Sequence, residues 1–253
     1  MSIKILNWNA QFASPRGRAG RFAKVKALIA SYDPDVICLT EAYPETMPEL
    51  GQTITSELSG AGNIENRGGR KVVLWSRFGW SNVDTLGSPN MPPGRFIKAT
   101  TSPDYEQWTI IGMCIPYAHY RNHAKWGDQR KSFWDGACEY LDALREEVLP
   151  RLSEEFLPYS KDPLNTILLG DFNMQIPPFN YPYKRSEVNQ KRKATFDGWL
   201  IPTAGISRHF IDHIALSSEL RVNSLQYISQ FDSDDSQLSD HSGVVIDVAH
   251  GPN

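Results

Sequence analysis

Five short stretches of this chain each run an apolar segment into side chains that can handle a metal or a phosphate. They are Ile5-Leu6-Asn7-Trp8-Asn9, Ile37-Cys38-Leu39-Thr40-Glu41, Ile167-Leu168-Leu169-Gly170-Asp171-Phe172-Asn173, Phe210-Ile211-Asp212-His213-Ile214 and Ser239-Asp240-His241-Ser242-Gly243. Strand ends are rigid, so polar groups carried on them can converge on one point without further ordering cost. Two carboxylates, an amide and an Asp–His pair on one rim would suit Mg2+ and a water attacking a phosphoester.

The segment around Asp171 is the strongest. Gly170 lets the backbone turn tightly as the strand ends, and Asp171 and Asn173 then face the same rim. There the Asp can orient and deprotonate water, and the Asn can donate to a developing oxyanion. The competing reading is an Asx-type turn after a buried strand. Asp212 is an ionisable group inside an apolar strand and needs a partner; His241 is the natural one, because the carboxylate would fix its tautomer and raise its pKa. His213, one residue on, alternates to the opposite face and reads as structural. Glu41 ends an apolar strand as a hard oxygen donor, with a rim salt bridge as its plainer alternative. Asn7 and Asn9 share one strand face, and Trp8 takes the other.

The elements that must position these groups follow from periodicity. Residues 3–8 read as a strand. Residues 19–31 read as a helix with Phe22, Val25, Leu28 and Ile29 at helical spacing, ended by Asp33-Pro34. Val36 to Leu39 reads as a buried strand. Residues 71–76, 96–101 and 108–114 are further strands, the last two a hairpin across Ser102-Pro103-Asp104. A Gly- and Pro-rich loop fills residues 86–95. A long helix is expected over 128–156 with a break near Pro150, then a strand at 165–170, a short helix near 190–200, and strands at 209–216 and 243–248. This order suggests two facing sheets, each covered outside by helices.

Because both ends of the 253-residue chain supply candidate residues, one domain over 1–253 is expected. A net charge of −3 gives no global positive field to mark a nucleic-acid binder. Local runs differ: Arg16 to Lys26, Lys184 to Lys193, and Arg121 to Lys131 with Trp126 and Tyr120 nearby. Their plain reading, run by run, is solvated surface; jointly they leave room for a phosphate-bearing substrate. Cys38, Cys114 and Cys138 show no paired spacing, so neither a disulfide framework nor a zinc site is expected. The start of the chain shows no export signal, and no apolar run is long enough to span a bilayer. A cytoplasmic protein with no membrane association and no obligate protein partner is the expectation.

In this order, the segments resemble the endonuclease/exonuclease/phosphatase superfamily. The likeness covers almost the whole length and rests on Trp8-Asn9, Leu39-Thr40-Glu41, Leu74-Trp75-Ser76-Arg77, Gly170-Asp171-Phe172-Asn173, Ile211-Asp212-His213-Ile214 and Ser239-Asp240-His241. The resemblance implies an α/β fold of the deoxyribonuclease-I-like kind: a four-layer α-β-β-α sandwich, two packed mixed β-sheets flanked by helices. It also implies Mg2+ (or Mn2+) with Glu41 as main ligand, Asn9 at the metal or the phosphate, and Asp240 as a further metal-side acid. Asp171 would orient or activate water, Asn173 would steady the transition state, and His241, held by Asp212, would contact a phosphoryl oxygen. Two departures stand out. Gln11 lies where the nuclease branch often has an acid, and the central strand runs Cys114-Ile115-Pro116-Tyr117-Ala118-His119, leaving Tyr117 or His119 to face substrate.

The leading expectation is a metal-dependent phosphodiester hydrolase, nuclease first. A phosphoesterase for a small metabolite or lipid headgroup is second. The inositol polyphosphate phosphatase branch is disfavoured because its Cys-Asp-Arg is replaced by Phe210-Ile211-Asp212-His213. A catalytically inactive binding module is third, and the full set of acids together with His241 counts against it.

Overall fold

The computed structural model describes residues 2–17, 20–60, 62–102, 104, 106–116, 135–156, 165–176, 186–207 and 209–251. The first half lays down β1 (Ser2–Asn9), helix α1 (Arg21–Ser31), β2 (Val36–Ala42), β3 (Gln52–Thr55), the single-turn helix α2 (Asn63–Asn66), β4 (Arg70–Ser76), β5 (Trp80–Asp84), β6 (Phe96–Thr101) and β7 (Thr109–Cys114). The second half adds α3 (Asp135–Ala143), α4 (Leu149–Phe156), β8 (Thr166–Asp171), α5 (Ser186–Thr195), β9 (Asp212–Leu216), β10 (Leu220–Ile228) and β11 (Gly243–His250).

The strands form two mixed sheets, ordered β10-β11-β1-β2-β4-β3 and β5-β6-β7-β8-β9. β1 runs parallel to β2 and β7 parallel to β8, while the other pairs are antiparallel. Period-two alternation builds the layers. Ile3, Ile5, Val36, Cys38, Val72 and Leu74 meet Ile97, Ile110, Ile167, Leu169, Ile214 and Leu216 in the central core between the sheets. The intervening side chains face outward: Leu6, Trp8, Ile37, Leu39, Val73 and Trp75 pack on Val25 and Ile29 of α1. On the other side Ile111, Met113, Leu168 and Ala215 pack on Tyr140, Leu141, Leu144 and Val188. The layers are helix, sheet, sheet, helix, as the resemblance implied.

Three expectations are corrected. The long helix does not break at Pro150. Residues 144–148 widen into a π turn instead, and α4 resumes through Pro150; a wide turn accommodates a ring that lacks an N–H and would crowd the carbonyl four residues back. The short helix lies earlier than expected, over Ser186–Thr195. β3, β5 and β10 are strands that the apolar pattern did not reveal. No helix among the described residues is long and apolar enough to cross a membrane.

Candidate active site

The alternation that builds the core also aims the site. On β1 the inward parity of Ile3 and Ile5 passes to Asn7 and Asn9, so both amides point between the sheets. Asn7 Nδ2 donates to the carbonyls of Gly170 and His213 at 3.3 and 3.2 Å, tying β1 to the opposite sheet. Asn9 Nδ2 reaches Asp171 Oδ2 at 3.2 Å. On β8 and β9 the inward parity of Ile167, Leu169, Ile214 and Leu216 places Asp171 and Asp212 at the same mouth, directly paired across the strands.

Gly170 makes the exit of β8 possible. Its φ of 141° is accessible to glycine, and a Cβ there would sit 1.9 Å from the Met113 carbonyl oxygen. The chain then turns so that Asn173, at φ 52°, folds back on Asp171. Its N–H donates to Oδ1 at 2.8 Å and its Nδ2 to Oδ2 at 3.0 Å, while the same amide also donates to the Ile115 carbonyl at 2.9 Å. The Asx turn of the competing reading and the facing of Asp171 and Asn173 to one rim are thus one arrangement.

His241 comes from the loop entering β11. Its Nδ1 lies 2.6 Å from Asp212 Oδ2, and the imidazole is the more accessible partner, 15% exposed against 0% for the carboxylate. Ser239, which sequence reasoning left without a role, links this loop to β1. Its hydroxyl donates to the Asn9 carbonyl at 2.6 Å and accepts the His241 N–H at 3.1 Å. Trp8 Nε1 donates to the His241 carbonyl at 2.9 Å.

The electrostatics follow from burial. Desolvation and the neighbouring Asp212 charge push Asp171 up to about 7, against the pull of His241 and the Asn173 N–H. Asp212 is raised too, by burial above all, and its Oδ1 is buried without a hydrogen-bond partner among the described residues. For His241 burial works against the charged form, but the Asp212 bond, with Asp171 and Asp240 behind it, overrides that and lifts the imidazole to about 9. One ligand atom from each of Asp171, Asp212 and His241 lies within 4.8 Å of the others, a spacing that would admit a cation. With His241 Nδ1 committed to Asp212, the trio is better suited to handling protons.

The residues implied as metal ligands surround this trio without joining it. Glu41 stands at the end of β2 with φ 49°, in a region that non-glycine residues rarely adopt. Its Oε1 is 2.6 Å from Lys71 Nζ, the rim salt bridge of the plainer reading. Its charge nevertheless adds to the rise of both Asp171 and Asp212. Asn9 Oδ1 accepts the Gln11 N–H at 2.8 Å. Asp240 is half exposed, with Oδ1 3.8 Å from His241 Nε2. Tyr117 and His119 lie outside the described residues. His213 faces away, between Thr203 Oγ1 at 3.1 Å and the Met174 carbonyl at 3.2 Å, and burial drives it down to about 3. Cys114 is buried, and desolvation raises its thiol to about 12, so no reactive thiolate is present there.

Lys71 and Arg21 also stand beside these residues; Arg21 belongs to the basic run from Arg16 to Lys26, whereas composition gave no signal for Lys71. Arg21 donates to the carbonyls of Ala10, Gln11 and Leu238 and to Gln11 Oε1, bracing the strained exit of β1, where Gln11 and Phe12 have φ of 46° and 49°. Only the cross-strand register could have flagged Lys71.

A four-layer sandwich with acids, amides and an Asp–His pair at the mouth between its sheets defines the deoxyribonuclease-I-like class. A profile of the Endonuclease/Exonuclease/phosphatase family matches residues 6–241, and the chain belongs to that family. No curated protein sequence matches it. Among solved structures it is similar to the human Nocturnin catalytic domain with bound sulfate, at TM-score 0.65 and 17% identity over 99% of this chain and 95% of that one. Humanized D. rerio TDP2 gives 0.61 and 13% over 98% and 99%. AP endonuclease LMAP from Leishmania major gives 0.60 and 14% over 99% and 88%.

Proposed function

We propose that the chain is a divalent-metal-dependent phosphodiester hydrolase, with nuclease action as its first reading. The observation that carries this is the 2.6 Å Asp212–His241 pair beside Asp171, at a mouth built from both sheets. Glu41, Asn9 and Asp240 offer an oxygen-only donor set that fits Mg2+ or Mn2+. Lys71 Nζ, 2.6 Å from Glu41 Oε1, already seats a cation against that carboxylate. Bound there, the metal would neutralise charge on the phosphate and ease departure of the leaving alkoxide.

The chain's own side chains supply the rest. Asp171, poised near 7, is matched to taking a proton from water at neutral pH, and Asn9 and Asn173 hold its carboxylate in one orientation. Asn173 stands where its amide can turn from Asp171 to a developing oxyanion. His241 carries protons on both ring nitrogens at neutral pH, so it acts as a donor to a phosphoryl oxygen or leaving group, oriented by Asp212. Structures named as endonucleases among those of like fold favour nucleic acid.

A small phosphoester is the second reading, because several described residues of the basic runs are engaged within the protein. Lys24 pairs with Asp232 and Asp234, Lys191 pairs with Asp142, and Arg192 donates to the Gln175 carbonyl. Turnover of bis-p-nitrophenyl phosphate with Mg2+, abolished by chelator, is expected. Asp171→Asn and His241→Ala should each lose about 100-fold or more while remaining folded. Turnover indifferent to chelator would reject the metal, and no turnover of any phosphoester would leave a binding module. Binding that weakens steeply with salt marks a phosphate backbone; a flat response marks a small substrate.

A further inference from the structure

We propose that Lys71 couples cation binding to phosphate binding: it is the counter-ion of Glu41 in the metal-free protein and a phosphoryl contact once Mg2+ engages that carboxylate. The inference rests on the metal-dependent phosphoesterase reading of the site and deepens it.

The register of β2 with β4 pairs Thr40 with Val72 and Ala42 with Arg70, which sets Glu41 opposite Lys71. The two charges meet at 2.6 Å, with side chains only 14% exposed for Lys71 and 25% for Glu41. Lys71 Nζ also lies 5.4 Å from the centre of the Phe12 ring. Phe12 is held there in the left-handed region by its N–H to the Glu41 carbonyl, 2.5 Å away. Thr40, next to Glu41, is paired with Asn9, whose amide reaches Asp171. The ammonium therefore stands at the mouth of the candidate site.

A largely buried ammonium cannot surrender its counter-ion without taking another. Mg2+ on Glu41 would place two like charges against one carboxylate. Of the other carboxylates at the mouth, Asp171 is engaged by Asn9 and Asn173, Asp212 through Oδ2 by His241, and Asp240 stands half exposed beside His241. An incoming phosphate supplies the missing negative charge and can accept from Lys71 while it meets the metal. A lysine suits this exchange, because its point charge on a flexible stem can move between partners. Cation and phosphate should then each strengthen the other's binding, reciprocally.

The test is calorimetric titration of Mg2+ into the protein, alone and with inorganic phosphate, for wild type, Lys71→Met and Lys71→Arg. Wild type should bind Mg2+ weakly alone and about tenfold tighter with phosphate. Lys71→Met should bind Mg2+ alone about tenfold tighter than wild type, with most of the phosphate enhancement gone. Lys71→Arg, which keeps the charge, should retain the enhancement, and thermal melts report that all three are folded. Equal Mg2+ affinity and equal enhancement in wild type and Lys71→Met would overturn the inference and leave the metal-dependent reading standing. No Mg2+ binding to any of the three would overturn both.

Discussion

The contact between His241 and Asp212 has a consequence that can be read in pH. The folded imidazole is raised from 6.5 to about 9 because its Asp212 bond outweighs its burial. A group whose folded pKa exceeds its unfolded one stabilises the protein fully below the unfolded value, and that stability is lost as pH rises through the folded value. In chelator, removing both partners as Asp212→Asn/His241→Gln should therefore cost most near pH 6 and progressively less toward pH 9, with the change on the order of 2 kcal/mol, or about 5 °C in Tm. Asp171, raised to about 7, acts with the same sign at lower pH, and in the double variant it loses one neighbour that raises it and one that lowers it. Melting curves of wild type and variant across that range check this, and a destabilisation equal at both ends would refute it. The residues of this pair were legible in the sequence, because a carboxylate in an apolar strand demands a partner. Lys71 was not, since nothing in Lys71-Val72-Val73-Leu74 shows which residue lies across the sheet.

At the scale of elements, Gly170 is the described glycine most tightly constrained by its surroundings. Gly170→Ala would set a methyl 1.9 Å from the Met113 carbonyl at a φ of 141°, so the β7–β8 pairing must part where Asp171 is delivered. A loss of about 3 kcal/mol or more is expected. Gly198→Ala meets nothing within 4 Å and has only its φ of 79° to bear, so it should cost about 1–2 kcal/mol. Denaturant titration separates the two, and similar losses would show that the close approach at Gly170 is not what matters. The strands feeding the site were readable because both of their faces are buried and their apolar runs are continuous. β10 escaped because it is a sheet edge, mostly exposed, without regular apolar alternation, and interrupted by a bulge between Val222 and Ser224. Helix α4 continues past Pro150 because the π turn before it absorbs the defect, and a proline rule applied to sequence alone cannot foresee that.

For the molecule as a whole, the site is assembled from both ends of the chain and from both sheets. Asn9 and Asp171, 162 positions apart, meet across the sheet interface, and Ser239 fastens the C-terminal loop to β1. Folding as one unit, the single domain expected over residues 1–253, should give one cooperative transition. Tryptophan fluorescence, far-ultraviolet dichroism and residual activity should then coincide in denaturant; separated midpoints would divide the chain into independent parts.

Asn7 gives that assembly its alignment. Interdigitated aliphatic side chains hold two sheets together, but dispersion forces between them have no preferred direction. The Asn7 amide does have direction. Its two hydrogen bonds to Gly170 and His213 act as a dowel through the sandwich, two residues before Asn9 and beside the strand ends that carry Asp171 and Asp212. Together with the Asn9–Asp171 bond, it fixes the relative height of the two halves where the candidate groups stand.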